Sequence, residues 1–446
     1  MRILLVQPRI RKCADFPGSS SGQVMEPLTL AVLAGLTPDK HQLEVVDERI
    51  EDFNYSADYD LVGISVNTDT ARRAYTISEK FNSLGIPVVL GGHHVTLVPG
   101  EAINHGDSIL VGEAEGIWPK ILADCEAGQL KQRYERNHRP DLAESPLPDR
   151  GVFREKNYLP IEMVETTRGC PHNCSFCSVS VFFGQQYRHR PIENVISEIK
   201  RLDGKLVFFV DDNIIGDPSY AKELFRALVP LDIHWFGQGS LLMARDEELL
   251  DLMRESGCLG NLIGIETLNE NSLNEVNKSW NLSLSLSEAI KRIHSHGLGI
   301  YASFVLGFDG DDAQTVERTF DFARRSKFLA ANFNVLTPHP ATETYRKLLE
   351  EGRLQDDQWW LKDKPCQAHF SPVNFSPAEL ALKCSWANWK FHSISSMIYR
   401  LSNIKPHLRD LLRAGLYFGL NRNLRRQYGR IFNKCRRAVE GSDLES

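Results

Sequence analysis

The sequence predicts an α/β protein with two parallel-sheet units in tandem and a helical C-terminal region. Three observations predict it. Short apolar runs alternate with helical stretches over the first 125 residues. After a polar stretch with four prolines, the alternation restarts at Ile161. Beyond residue 352 it gives way to Trp-rich and then Arg-rich sequence.

The first unit, residues 1–125, offers strands at Arg2–Val6, Gln42–Val46, Leu61–Val66, Val88–Leu90 and Ser108–Val111. Helical patterns fall at Pro27–Leu36, Thr70–Leu84 and Ile117–Cys125. Apolar strands joined by crossover helices imply a parallel sheet covered on both faces. Five of them suit a doubly wound, flavodoxin-like domain. Residues 126–160 read as a linker.

Residues 161–351 offer six more strands: Glu162–Thr166, Leu206–Val210, Ile233–Phe236, Leu262–Ile265, Ile300–Val305 and Phe333–Leu336. Asp217-Pro218 and Asp246 mark helix starts, and Gly257 and Gly297 mark helix ends. Six βα units in this length predict a partial (βα)6 barrel, with its active site at the C-terminal ends of the strands. Residues 352–446 are expected to be helical, with a basic tail.

Composition narrows the function classes. The 446 residues are 42% hydrophobic and 25% charged, with a net charge of -6. That is ordinary globular composition and argues against wholesale nucleic-acid coating. Charge is nevertheless uneven: Lys390 to Arg437 contains twelve Lys or Arg and one acid, Asp410. A solvated helix face is the plainest reading of that tail. An anionic substrate, a nucleic acid or a membrane surface are the others. No run of 18 apolar residues predicts a membrane span, and the N-terminus reads as a strand rather than a signal peptide, so a cytoplasmic protein is expected. Nine cysteines, six of them scattered, argue against a disulfide framework.

The other three cysteines cluster as Cys170-Pro-His-Asn-Cys174-Ser-Phe-Cys177, just after the first barrel strand. Three thiolates on one loop suit a [4Fe–4S] cluster whose fourth iron takes a ligand from outside the protein. A zinc site or a redox pair are the alternatives, although His172, inside the loop, is poorly placed to close a tetrahedron.

This CxxxCxΦC pattern, with Phe176 before the last cysteine, resembles the radical S-adenosylmethionine (radical SAM) superfamily. The resemblance implies that SAM chelates the fourth iron and is cleaved reductively to a 5′-deoxyadenosyl radical. An electron donor such as flavodoxin or ferredoxin would then be a partner. Successive strand ends resemble SAM-binding segments of that family. They carry Asp211 and Asp212, Ser240, Glu266, and Leu306 with Gly307-Phe308.

In the first unit, the segments DLVGIS, VVLGGHH and VGEAEG resemble the cobalamin-binding domain found upstream of many radical SAM domains. Ligands of such a sheet bind at its carboxyl edge. That edge implies Gln7, Ser65, Thr68, Gly91, Gly92, His93, Gly112 and Glu113 as cobalamin-side residues, with His94 either facing the corrin or capping its loop. The cobalt-ligating pattern Asp-x-His-x-x-Gly is broken at Asp39-Lys-His41-Gln-Leu-Glu44, which reads as a turn. Cobalt is therefore expected without a protein histidine.

Thr337-Pro-His-Pro340 and Glu351-Gly-Arg-Leu354 resemble a "TP-PGT…EGRL" segment of the same proteins, with Ala341 where that pattern has glycine. Trp386, Trp389 and Phe391 read as a packing face, or else as a cover for the barrel mouth. The resemblance implies methyl transfer from SAM, through methylcobalamin, to an unactivated carbon of a small-molecule substrate. Cyclisation or oxidation with the same cofactors is the second reading, and a non-catalytic sensor the third.

Overall fold

The computed structural model describes residues 1–10, 24–52, 54–55, 58–283, 285–362 and 364–442. Cys13 lies outside these residues.

All five strands expected in the first unit form: β1 (Arg2–Gln7), β2 (Gln42–Asp47), β3 (Leu61–Ser65), β4 (Val88–Gly91) and β5 (Ser108–Val111). They are parallel, in the order β2-β1-β3-β4-β5, and a sixth strand, β6 (Arg133–Glu135), joins the edge. Strand β6 comes from the stretch read as linker. Its Arg-Tyr-Glu buries only Tyr134, so no apolar run announced it. Helices cover both faces over two separate apolar cores.

The six strands expected in the second unit also form one parallel sheet: β7 (Glu162–Val164), β10 (Leu206–Phe209), β11 (His234–Gly239), β12 (Cys258–Glu266), β13 (Gly299–Leu306) and β14 (Ala330–Val335). Sequential order from β7 to β14 gives the open partial barrel. The helix starts behave as read: Asp217 accepts from the Ser219 and Tyr220 N–H groups, and Asp246 from that of Leu249. Strand β12 is longer than the apolar stretch Leu262–Ile265, because Gly260 and Asn261 interrupt the run without interrupting the ladder. At Gly260 the neighbouring strand is so close that a Cβ would lie 2.3 Å from the Gly299 carbonyl oxygen.

A short antiparallel ladder, β8 (Thr167–Arg168) with β9 (Arg188–His189), went unread. Two residues per strand are too few for a periodicity signal. This ladder pins both ends of the loop that carries the three cysteines.

The C-terminal region packs helices Pro377–Phe391, Ile394–Arg400 and Leu411–Ser442 against β14 and the neighbouring helices. Trp386 packs on Phe320, Trp389 stacks on Phe432, and Phe391 is fully buried. These aromatics are a packing face, not a cover. Among the described residues, no helix is long and apolar enough to cross a membrane.

Three buried imidazoles fasten this region. His407 contacts the Lys327 carbonyl at 2.8 Å, His392 the Ala331 carbonyl at 3.0 Å, and His294 the Asn403 amide at 3.0 Å. Burial lowers His294 to about 3 and His392 and His407 to about 4, against 6.5 in the unfolded chain. Between those values the unfolded chain binds more protons. The stabilisation is therefore complete above pH 6.5 and is lost as pH falls toward 4. Each imidazole contributes a slope of about 1.4 kcal/mol per pH unit. Urea midpoints should drop markedly from pH 7 to pH 5, and equal midpoints would contradict this assignment.

Candidate active site

The cysteine loop leaves β8 at Gly169. A φ of 89° there turns the chain, and a Cβ would meet the Gln186 carbonyl. Cys174 is buried, and Cys170 and Cys177 are half-buried. Burial pushes all three thiols up, Cys177 to about 12. Only a strong cation would hold them as thiolates. Among the described residues, no three His, Cys, Asp or Glu side chains converge on a single mononuclear ion.

The loop is braced on the far side of the barrel mouth. Ser175 N–H donates to the Val276 carbonyl at 3.2 Å, and Thr344 N–H to the Ser175 carbonyl at 3.0 Å. His172 stacks on Trp280, centroids 3.9 Å apart, and Lys278 lies over the same indole at 5.1 Å. Lys278 Nζ donates to Glu266 Oε1 at 2.5 Å, both side chains being buried. Burial alone would lower Lys278, but Glu266 holds it above its usual range, so a fixed cation sits beside Cys170 and Cys174. Glu266 follows a register shift in β12 and has a φ of 68°. Strain of this kind persists where the surroundings over-determine it.

The other strand-end residues divide. Asp211 Oδ1 accepts from Thr166 and Thr167 through both backbone N–H and hydroxyl groups, so it ties the end of β10 to the cysteine-loop entry. Asp212 is raised to about 7 by burial, then by Asp211 and Glu165, and it lies close enough to Cys170 to raise that thiol. Ser240 Oγ, just past the end of β11, and Asn261 Oδ1, midway along β12, are buried with no hydrogen-bond partner. Leu306 is buried, and its carbonyl accepts from Leu336 N–H. The next two N–H groups, Gly307 and Phe308, go to Asp311 Oδ2 at 2.7 and 3.1 Å. The Leu306 carbonyl and the Gly307 and Phe308 N–H groups thus have partners within the chain.

The carboxyl edge of the first sheet opens on a cavity of about 390 Å³. Ser65, Gly91, Gly92, His93, Gly112 and Glu113 line it on one side, and Glu165, Arg168 and Val210 of the second unit on the other. Gly112 has a φ of 89°, and a Cβ there would enter space free of protein atoms. Gln7 and Thr68 lie elsewhere. The Gln7 carbonyl accepts from Glu48 N–H, and the Thr68 hydroxyl is 3.4 Å from His94 Nδ1. His94 is fully buried and also meets Glu101 at 3.2 Å, so it is internal. His93 faces the cavity 5.2 Å from Phe182, and burial lowers it to about 4, which keeps the imidazole neutral. His41 lies at the start of β2, at the opposite edge of the sheet, 3.4 Å from the chain's amino terminus. It cannot reach this cavity.

Arg168 joins the two units. Its guanidinium bonds Glu113 at 2.6 Å, Glu115 at 2.6 Å and Glu165 at 2.8 Å. Glu113 also holds Arg188 at 2.7 Å. Burial pushes Glu115 up, but Arg168 outweighs it and the net shift is down. Arg168 sits two residues before Cys170, so the ion cluster registers the cysteine loop against the first sheet. Its contact with Glu165 is local, but nothing local in the sequence marks Glu113 and Glu115, which come from one distant segment.

A second cavity, of about 1010 Å³, lies beyond the ends of β13 and β14. Phe176, Leu336, Trp359 and Trp360 are among its apolar walls, and Arg72, Lys362 and Lys364 line it too. His339 and Asp69 also line it, and Asp69 is two residues from Asn67 of the first cavity, so the two cavities are neighbours. Ala341, two residues on, keeps a φ of 63°, the conformation its glycine counterpart would take.

The model of the radical SAM superfamily matches residues 164–323, and that of the B12 binding domain residues 16–122. Bacteriochlorophyllide d C-12(1)-methyltransferase of Chlorobaculum tepidum is 31% identical over 390 residues, 84% of each chain. Bacteriochlorophyllide d C-8(2)-methyltransferase of the same organism is 31% identical over 74% of this chain and 78% of its own. The fold matches the methyltransferase TsrM of Kitasatospora setae, solved with tryptophan and a SAM analogue. The TM-score is 0.66 at 18% identity, covering 98% of this chain and 99% of that one. The donor set fits the family's cofactors: three thiols on one loop, unpartnered buried oxygens at the barrel mouth, and a glycine-edged cavity facing it. The chain belongs to the cobalamin-binding radical SAM methyltransferases, enzymes that use a [4Fe–4S] cluster, SAM and cobalamin.

Proposed function

We propose that this enzyme transfers a methyl group to an unactivated carbon of a largely apolar small molecule held in the 1010 Å³ cavity. The observation that carries this reading is the shared wall. The cavity at the edge of the first sheet is closed on its far side by Glu165, Arg168 and Val210 of the barrel. A ligand there faces the cysteine loop directly.

When bound, the three cofactors supply one-electron SAM cleavage and a transferable methyl group. Cys170, Cys174 and Cys177 hold the cluster, and Lys278 balances its charge. Asp212 would accept from the SAM amino group, and Ser240 would bind the ribose side. Gly91, Gly92, His93 and Gly112 line the cobalamin site, and no histidine of this chain ligates cobalt from Asp39–Glu44. A volume of about 390 Å³ suits an ordinary small molecule and falls short of a whole corrin with its nucleotide. The helix Val179–Phe183 contributes Phe182 and Phe183 to the wall of this cavity. Flavodoxin or ferredoxin serves as electron donor.

The test uses extract from cells lacking the protein, incubated anaerobically with holoenzyme and SAM carrying a trideuteromethyl group. A lipophilic product bearing that group is expected. Deoxyadenosine formation with an unlabelled, oxidised or cyclised product would overturn methyl transfer in favour of the second reading.

A Gly112→Val substitution probes the cobalamin site. Valine at a φ of 89° is strained, and its side chain would fill the cavity. Cobalamin retained through gel filtration should fall by about tenfold or more, corresponding to about 1.4 kcal/mol or more. Iron content should be unchanged, and normal cobalamin retention would move the site elsewhere.

A further inference from the structure

The basic C-terminal region has no role in the site except where the far end of its long helix reaches the larger cavity. Its near end carries a different surface. Ile394 is 59% exposed, Ile398 64%, Leu411 92% and Phe418 46%. Tyr399 and Leu412 add 39% and 38%. Six of the fourteen large apolar side chains exposed among the described residues therefore fall within 25 positions.

The two helices that carry them lie side by side. Ile394 and Ile398 are one helical turn apart, and Leu411 and Phe418 are two turns apart on the next long helix. The two helices are locked together by the Tyr417 hydroxyl, which donates to the Met397 carbonyl at 2.8 Å. Ile398 and Phe418 are the sequence neighbours of that pair.

The patch is rigidly mounted. Buried Arg400 donates to the Phe328 and Leu329 carbonyls at 2.8 and 2.9 Å. Buried Arg413 donates to the Cys258, Leu259 and Gly297 carbonyls at 3.0–3.1 Å. These carbonyls mark the N-terminal ends of β12, β13 and β14, so the patch lies at the opposite end of the barrel from the cysteine loop.

The same two helices and the segment between them carry exposed Lys405, Arg409, Arg422 and Arg426, and Arg324 lies over the Tyr399 ring at 4.3 Å. Asp410 is the one acid between Lys390 and Arg437. We infer that this face docks on the surface of an anionic lipid bilayer. The apolar side chains enter the acyl boundary, and the cations pair with headgroup phosphates. A second copy of the chain is the poorer occupant, because a two-fold contact would set this cationic rim against itself. A nucleic acid would leave Leu411 and Ile398 without apolar partners. The inference does not depend on the proposed methyl transfer.

The experiment is co-sedimentation of full-length, cofactor-loaded protein with vesicles of phosphatidylcholine alone and with added phosphatidylglycerol. Binding is expected only to the anionic vesicles. It should weaken as ionic strength rises from about 0.1 M to about 1 M, which shortens the Debye length from about 10 Å to about 3 Å. The double variant Ile398→Glu with Leu411→Glu should bind at least about tenfold more weakly, because the apolar surface that enters the acyl boundary is replaced by charge. SAM cleavage by this variant in solution should be unchanged, which also shows that it folds. The separate variant Lys405→Gln with Arg409→Gln should lose binding while keeping the apolar patch. Three outcomes would overturn the inference: equal binding to both vesicle types, undiminished binding by the glutamate variant, or a concentration-dependent dimer that this variant abolishes.

Discussion

Replacing Cys174 by alanine should abolish SAM cleavage. The three thiols sit on one loop, and Cys174 is the most buried of them. Two thiolates cannot retain a cluster that needs three protein ligands, so reconstituted iron should fall to background and deoxyadenosine below detection. The fold should survive, because Cys174 lies at the rim of the barrel core and the loop is pinned independently by β8, β9 and Ser175. Iron analysis, deoxyadenosine assay and thermal denaturation on one preparation check this. Full iron content in the variant would show that the loop does not hold the cluster.

Replacing Arg168 by methionine should have the largest effect on stability. It leaves Glu113, Glu115 and Glu165 buried without the cation they share. Breaking a buried ion pair by removing one partner costs about 3–5 kcal/mol, because the remaining charge is uncompensated. Arg188 relieves Glu113 but is bonded to neither of the others. The melting temperature should fall by about 10 °C, given about 2–4 °C per kcal/mol for domains of this size. Cobalamin retention should fall with it, because the cluster registers the two walls of that cavity. Lysine at the same position should restore part of the stability and little of the retention, since an ammonium cannot bond three carboxylates in a planar fork. An unchanged melting temperature for the methionine variant would mean that the carboxylates take up protons at little cost.

Both parallel sheets were legible in the sequence because their strands are buried on two faces and read as continuous apolar runs. Elements without such runs were not. Strand β6 buries one tyrosine, and β8 and β9 are two residues each. The cysteine loop was legible because its chemistry is written in contiguous residues. The strand-end rule located the cavity but did not resolve side-chain direction. It therefore grouped Thr68 with residues that line the cavity, although its hydroxyl turns toward His94. Asp211 reads as a cofactor contact because it ends a barrel strand; four donors from Thr166 and Thr167 occupy its Oδ1, while its Oδ2 is buried without a hydrogen-bond partner. Lys278 and Arg168 escaped notice because partners beyond the reach of a short motif complete their contacts: Glu266 is 12 residues from Lys278, and Glu113 is 55 from Arg168.

The most direct measurement gives reconstituted protein SAM, a strong reductant and no substrate, with and without added hydroxocobalamin, under anaerobic conditions. S-adenosylhomocysteine and deoxyadenosine are quantified together. S-adenosylhomocysteine that appears only with cobalamin, and that is lost in the Gly112→Val variant, is the predicted result, because the cavity beside the cysteine loop then holds the methyl carrier. Deoxyadenosine at the same level with and without cobalamin, and no S-adenosylhomocysteine in either case, would contradict it.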